Sequence, residues 1–418
     1  MKSYVTSTAL MVLLSIWVLS MPLQTNAQQP RRGASARKPR KSALTVRFAS
    51  GKSALKIPFE FDGNIILLRV RVNNSEPLKF IFDTGASISV IEPQRAAELG
   101  LKTQEQIRGN ATGGAIQASL IRGVSLSVPG AKVANQLIVA VSFGATPCFE
   151  FDGITGYDFI NEFVVEIDYR NRIMNLYDPR TYTYSGTGAV VPLSITGRTT
   201  LTHPIIILEG REPVEGKFEV DTGGDGTLVI YRPFVEKHRL LAAIPKTVQS
   251  SGVGAGGEQE VLVGRVKAVQ LGQLIIDNPT VGFSQNTEEA DEKGDGLIGG
   301  EILRRFKVIL DYSRTRMILE SNQSFGDPYE VDMSGIGLGS DEDDCKALKI
   351  ERVAENSPAA EAGLQSGDIV TAIDGKSANS FSSNELEQIF KQHGKELTLS
   401  VKRGESITQR KIKLRKLI

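Results

Sequence analysis

Residues 152–174 read DGITGYDFINEFVVEIDYRNRIM, and residues 295–317 read DGLIGGEILRRFKVILDYSRTRM. Aligned without gaps, the 23 positions hold eight identities, among them Gly153/Gly296, Gly156/Gly299, Phe163/Phe306, Asp168/Asp311, Tyr169/Tyr312 and Met174/Met317, all at an offset of 143. Self-similarity of this kind marks a duplicated unit. Upstream, Lys79-Phe80-Ile81-Phe82-Asp83-Thr84-Gly85 matches Lys217-Phe218-Glu219-Val220-Asp221-Thr222-Gly223 at an offset of 138, and a five-residue insertion in the second copy reconciles the two offsets. Alternation and β-branched content predict strands at 65–72 and 78–82 in the first copy and at 261–271 and 306–310 in the second. Helical patterns at 93–99, 159–163 and 233–239 are too short to scaffold a domain, so the expected fold of both copies is mainly β.

The 418 residues are 40% hydrophobic and 23% charged with 41 glycines, a globular composition long enough for two to three domains. The formal charge is +1, from 49 basic and 48 acidic residues. Setting aside Lys2, Arg31, Arg32, Arg37, Lys38, Arg40, Lys41 and Arg47 leaves 41 against 48, a body at −7. Such a body lacks the basic excess of a nucleic-acid binder. His203, His238 and His393 are scattered, and Cys148 and Cys345 stand far apart, so no metal-ligand spacing exists and no cofactor is expected. No Gly-x-Ser-x-Gly elbow accompanies the histidines, and the chemistry falls to carboxylates.

Lys2, the apolar run ALMVLLSIWVL at 9–19 and the polar end Gln24-Thr25-Asn26-Ala27 read as a signal peptide over 1–27. The expected destination is the periplasm or the medium, with membrane attachment if the segment stays uncleaved. Residues 28–54 read as a basic flexible linker or pro-segment. Whether Cys148 and Cys345 pair or stay buried thiols is open at this level.

A lone Asp-Thr-Gly is an ordinary turn. Twice, at equivalent places of a duplicated unit and each time after an apolar strand, it points to chemistry. Two carboxylates about 3 Å apart cannot both ionise, so they share a proton. The ionised member takes a proton from a water held between them while the protonated one hydrogen-bonds to a substrate carbonyl. Thr84 and Thr222 can tie the pair together, while Gly85 and Gly223 keep side chains out of a crowded turn.

This motif set resembles retropepsin-like (retroviral-type) aspartic proteases, here as tandem copies over 55–185 and 198–322. The resemblance implies a two-lobed acid-protease-like β-barrel domain, catalytic Asp83 and Asp221, and the later signature at Ile154-Thr155-Gly156 and Leu297-Ile298-Gly299, where Thr155 departs from an apolar pattern. The triplets are followed by Ala86 and Gly224 rather than a hydroxyl residue, which predicts a mildly acidic to neutral pH optimum. Asp225 adds an acid to the second turn. The resemblance also implies flexible flaps, with candidates at 109–114, including Gly113 and Gly114, and at 252–257, including Gly254 and Gly256. The second stretch satisfies G-x-G-x-x-G, yet residues 258–271, EQEVLVGRVKAVQL, alternate as a strand, whereas a dinucleotide site needs a helix there.

From about 331 the pattern changes. Ser357-Pro358 starts a short helix ended by Gly363, Gly367-Asp368 leads into an apolar strand, and a second helix is predicted at 384–392. Residues 331–418 closely resemble PDZ domains in the small α+β form attached to bacterial proteases. The resemblance implies strand addition of a peptide, with backbone N–H groups of Gly335-Ile336-Gly337-Leu338-Gly339 receiving a chain end or an exposed apolar segment. The run Asp341–Asp344 reads as a solvated acidic turn. The apolar end Leu417-Ile418 makes capture of the chain's own tail a further possibility. The expectation is a monomeric, exported aspartic endopeptidase acting on polypeptides, and the alternative is an inactive peptide-binding or scaffolding protein of the envelope.

Overall fold

The computed structural model describes residues 10–13, 16–17, 44–112, 114–143, 151–254, 256–286, 294–340 and 347–418. Gly113, Cys148, Cys345, Asp341–Asp344 and most of the signal and linker segments lie outside these. Among the described residues strands dominate, in sheets of fifteen, nine, six and four strands.

The two repeats share the same course. A hairpin (Ser53–Asp62 with Ile65–Val72; Ser194–Thr196 with Thr199–Thr202) leads to the strand before the Asp-Thr-Gly (Leu78–Phe82; Phe218–Val220). A long hairpin comes next (Gln106–Ala111 with Gly114–Val128; Val248–Gly254 with Gly257–Arg265). The chain then returns (Gly153–Thr155; Gly296–Ile298) parallel to the strand before the aspartate, pairing Ile154 with Ile81 and Leu297 with Glu219. Alternation decides which side chains go inward. Phe80, Phe82, Phe218 and Val220 enter one core common to both repeats, whereas Ile81, on the opposite face, joins a separate cluster with Ile154, Ile116 and Leu120.

Strands Val164–Asp168 and Phe306–Asp311 join the repeats by antiparallel pairing, Val165 opposite Leu310 and Ile167 opposite Val308. The offset of 143 equates 165 with 308 and 167 with 310, so each pair maps onto the other. Glu166 faces its own counterpart Ile309, and a pseudo-two-fold axis passes between them.

Three boundaries differ from the sequence reading. Thr45–Phe48, inside the stretch read as linker, is a strand paired with Ala131–Ala134, because TVRF alternates and finds an open sheet edge. The strand expected over 261–271 is two, Gly257–Arg265 and Ala268–Leu271, in different sheets. Within the stretch read as a signal peptide, Leu10–Leu13 runs parallel to Ser251–Gly254 and Ile16–Trp17 antiparallel to Asn110–Ala111. Both are terminal strands of their sheets, so the remaining sheet order does not depend on them.

Residues 322–330 lead to the third unit across Arg305, fully buried, which stacks on Tyr329 with its guanidinium carbon 3.6 Å from the ring centre and donates to Ser324 and Pro328 carbonyls. The unit is a small sheet in the order Ile336–Ser340, Leu348–Val353, Ile369–Ile373, Glu396–Arg403, Ser406–Lys413, with Lys376–Ser377 beside the third strand. Helix Ser383–Phe390 starts with a capping box in which Ser382 and Glu385 satisfy each other's backbone N–H, and it buries Leu386 and Phe390 against Ile336 and Leu338.

Candidate active site

Asp83 and Asp221 end equivalent strands, and each is held by its backbone N–H on the returning strand, to Thr155 O at 3.1 Å and to Ile298 O at 2.9 Å. Thr155 tolerates its place in an otherwise apolar signature because its hydroxyl donates to Ile81 O at 3.1 Å. The two aspartates meet on the pseudo-axis through reciprocal threonine contacts. Thr84 Oγ1 accepts the Thr222 N–H at 3.0 Å and donates to Val220 O at 2.5 Å. Thr222 Oγ1 accepts the Thr84 N–H at 3.1 Å and donates to Phe82 O at 2.8 Å. All four groups are buried, where hydrogen bonds resist competition from water.

Asp83 Oδ1 accepts N–H groups from Gly85 at 2.8 Å and Ala86 at 3.0 Å, and Asp221 Oδ1 accepts one from Gly223 at 2.8 Å. Both carboxyls are fully buried. Burial pushes the Asp83 carboxyl well above the usual carboxylate range, and the charge of Asp221, a hydrogen bond with Asp221 and the charge of Glu219 push the same way against the Gly85 N–H. Burial, Asp221 and Glu219 each favour the protonated form of the Asp83 carboxyl. A Cβ at Gly223 would stand 2.6 Å from Asp83 Oδ2, so the position admits no side chain.

The tips of the two hairpins predicted as flaps meet. The Gly256 N–H donates to Thr112 O at 2.9 Å, and a Cβ at Gly114 would lie 3.2 Å from Gly256 O. Gly252 and Gly254 lie in a hairpin strand, and the segment after Gly257 is a strand rather than a helix, so the dinucleotide reading has no support here.

Two cross-repeat contacts were not legible in the sequence. Asn64 Nδ2 donates to Asp225 O at 2.9 Å, and its counterpart Arg198 donates to Ser87 O at 3.1 Å. Each hairpin turn thereby ties itself to the opposite Asp-Thr-Gly loop. Glu219 was visible in the aligned heptapeptides as the partner of Ile81, yet its place beside the aspartates needs the fold.

The aspartyl protease family model matches residues 68–159 and again 205–302, and a PDZ domain model matches 349–403. The chain carries a duplicated aspartyl protease domain and a PDZ domain. Over 134 residues it is 33% identical to a probable CtpA-like serine protease of Staphylococcus haemolyticus (strain JCSC1435), covering 31% of this chain and 25% of that protein. The chain thus spans about a quarter of the length of this relative. Among solved structures, basic 7S globulin from soybean aligns with a TM-score of 0.41 at 11% identity, over 66% of this chain and 97% of that one.

In the PDZ domain, Ile336–Ser340 is the end strand of its sheet, paired only with Leu348–Val353 among the described residues, and shares a core with helix Ser383–Phe390, as strand addition requires. The expected carboxylate-binding N–H groups are partly engaged already. Ser334 and Gly335 donate to Asp332 Oδ1 at 3.0 and 2.6 Å, and Ile336 donates to Ser334 Oγ at 3.0 Å. Gly335 has φ +78° and sits against Ser357, so the loop closes around Asp332 only with glycine there. The tail does not extend this sheet. Leu414 enters the PDZ core, Arg415 pairs with Glu361 at 2.7 Å, and Lys416 pairs with Glu330 at 2.8 Å.

Proposed function

We propose that the protein is an aspartic endopeptidase in which Asp83 and Asp221 activate water for attack on a peptide carbonyl. The observation that carries this reading is the aspartate pair on the pseudo-axis, tied by the reciprocal threonines. One carboxyl kept protonated by its burial and by its neighbour polarises the carbonyl, and the other takes the proton of the attacking water. The amide nitrogen then receives a proton from the dyad and leaves as the amine. An extended substrate would lie between the Asp-Thr-Gly loops and the flap strands, whose edges accept Leu10–Leu13 and Ile16–Trp17 in the full chain.

The PDZ domain would present polypeptides to this cleft by pairing them with Ile336–Ser340. Since Asp332 occupies N–H groups of the loop, the favoured ligand is an exposed apolar segment rather than a chain end. Residues 1–27 would direct export to the periplasm or medium, leaving a monomer of 28–418. The experiment is casein hydrolysis by residues 28–418 in the presence of a metal chelator and a serine-directed fluorophosphonate. Undiminished cleavage without covalent labelling supports the aspartic type; labelling with loss of activity places the protein with serine hydrolases.

A further inference from the structure

The duplication lets each cleft wall be compared with its own counterpart. The hairpin registers Asp62↔Ile65 and Thr196↔Thr199 equate Ile65 with Thr199. The pairs Leu67↔Ile81 and Leu201↔Glu219 equate Ile81 with Glu219, each two residues before its aspartate. At the flaps, the tip pairs Ala111↔Gly114 and Gly254↔Gly257 set the alignment. Gly109↔Ile116 then matches Gly252↔Gln259, and Ile107↔Ala118 matches Ser250↔Val261.

Four isoleucines of the first repeat therefore correspond to four polar residues of the second. Ile65, Ile81 and Ile116 belong to one apolar cluster with Ile107 packed against it, so these positions form one continuous wall from the strand beside Asp83 to the underside of the flap. Their counterparts Thr199, Glu219, Ser250 and Gln259 are buried as deeply, each at most 2% exposed. Two other matched positions stay apolar: Val90 and Ile154 correspond to Val229 and Leu297. Three buried isoleucines and the half-buried Ile107 give way to buried polar groups on this wall, a change that binding a polar substrate group would use. Two-residue periodicity puts Glu219 on the strand face of Asp221, and its charge acts on Asp83 and on the buried Tyr312 hydroxyl.

We propose that the cleft is asymmetric: the first repeat's half takes an apolar side chain, and the second repeat's half is a specificity pocket for a Lys or Arg side chain next to the scissile bond. Glu219 is its counter-ion, Gln259 and Thr199 supply hydrogen-bonding groups, and Val229 and Leu297 receive the methylene stem. A cation there also offsets the negative charge that Glu219 adds beside a singly ionised dyad. The inference rests on the endopeptidase reading above.

The test is mass-spectrometric mapping of cleavage sites in a peptide library cut by residues 28–418, with kcat/KM then measured for peptides carrying Lys or norleucine at the selected position. The expected wild-type pattern has Lys or Arg on one side of the cut and an apolar residue on the other. Glu219→Gln should lower the ratio of kcat/KM for the Lys peptide to that for the norleucine peptide at least about tenfold, a ratio that cancels any common change in rate transmitted through Asp83. Glu219→Ile should favour apolar residues on both sides. Apolar preference on both sides in the wild type, or an unchanged Lys preference in Glu219→Gln, overturns the proposal. If the wild type cuts nothing, the catalytic reading fails separately, and calorimetric binding of the two peptides to Asp83→Asn decides the pocket. Equal affinities would refute it, and tighter binding of the Lys peptide, lost in Asp83→Asn/Glu219→Gln, would support it.

Discussion

Replacing Thr84 with valine keeps the volume and removes two buried hydrogen bonds. The Val220 carbonyl loses its donor at 2.5 Å, and the Thr222 N–H loses its acceptor at 3.0 Å. Each orphaned buried group costs about 1–3 kcal/mol, so Thr84→Val should destabilise by roughly 2–6 kcal/mol. Thr84→Ser keeps both bonds and loses one methyl, which costs about 1 kcal/mol. The mirror pair at Thr222 should behave alike, because its bonds to Phe82 O and the Thr84 N–H are equivalent. Urea denaturation of residues 28–418 measures both, with tryptic stability of the protease domain separating its unfolding from that of the PDZ domain. Valine variants that fall within 0.5 kcal/mol or so of their serine partners would refute the claim that these bonds hold the repeats together.

Gly223→Ala should abolish peptide cleavage, since its Cβ would lie 2.6 Å from Asp83 Oδ2; wild-type kcat in a folded variant contradicts the geometry. Burial lifts the Asp158 carboxyl to about 6 against hydrogen bonds from Ser89. With the folded value above the unfolded one, its stabilising contribution is complete below about pH 4 and disappears as pH rises through 6. Asp158→Asn should therefore flatten the fall of stability between pH 4 and 7 by roughly 3 kcal/mol, read from urea midpoints. Peptides binding the PDZ domain should lose little affinity on C-terminal amidation, because Asp332 already engages the Ser334 and Gly335 N–H groups. A hundredfold loss in fluorescence titration would restore the chain-end reading.

Legibility in the sequence tracked how local each cause was. The repeat could be read because equivalent strands need the same alternation and the Asp-Thr-Gly turns need the same residues, so Phe80 and Phe82 match Phe218 and Val220 in both pattern and burial. The short strand Thr45–Phe48 was hidden in a basic stretch, since its partner 131–134 supplies the reason for its order. Gly335 could be named as part of the PDZ loop, but that the Asp332 carboxylate fills it depends on the packing of Gly335 against Ser357. Asn64 and Arg198 reach across the pseudo-axis, and no spacing rule links residues 161 or 111 positions apart. The polar character of the second cleft wall emerges only when flap register aligns Gln259 and Ser250 with Ile116 and Ile107.

The most direct test of the account is the pH profile of kcat/KM on one peptide for wild type, Asp83→Asn, Asp221→Asn and the double variant of residues 28–418. If the aspartates work as one proton-sharing unit, the wild type gives a bell with its alkaline limb above the ordinary carboxylate range, and each single variant is as inactive as the double. A single variant that keeps activity within tenfold of wild type, or losses that add in the double, would contradict it.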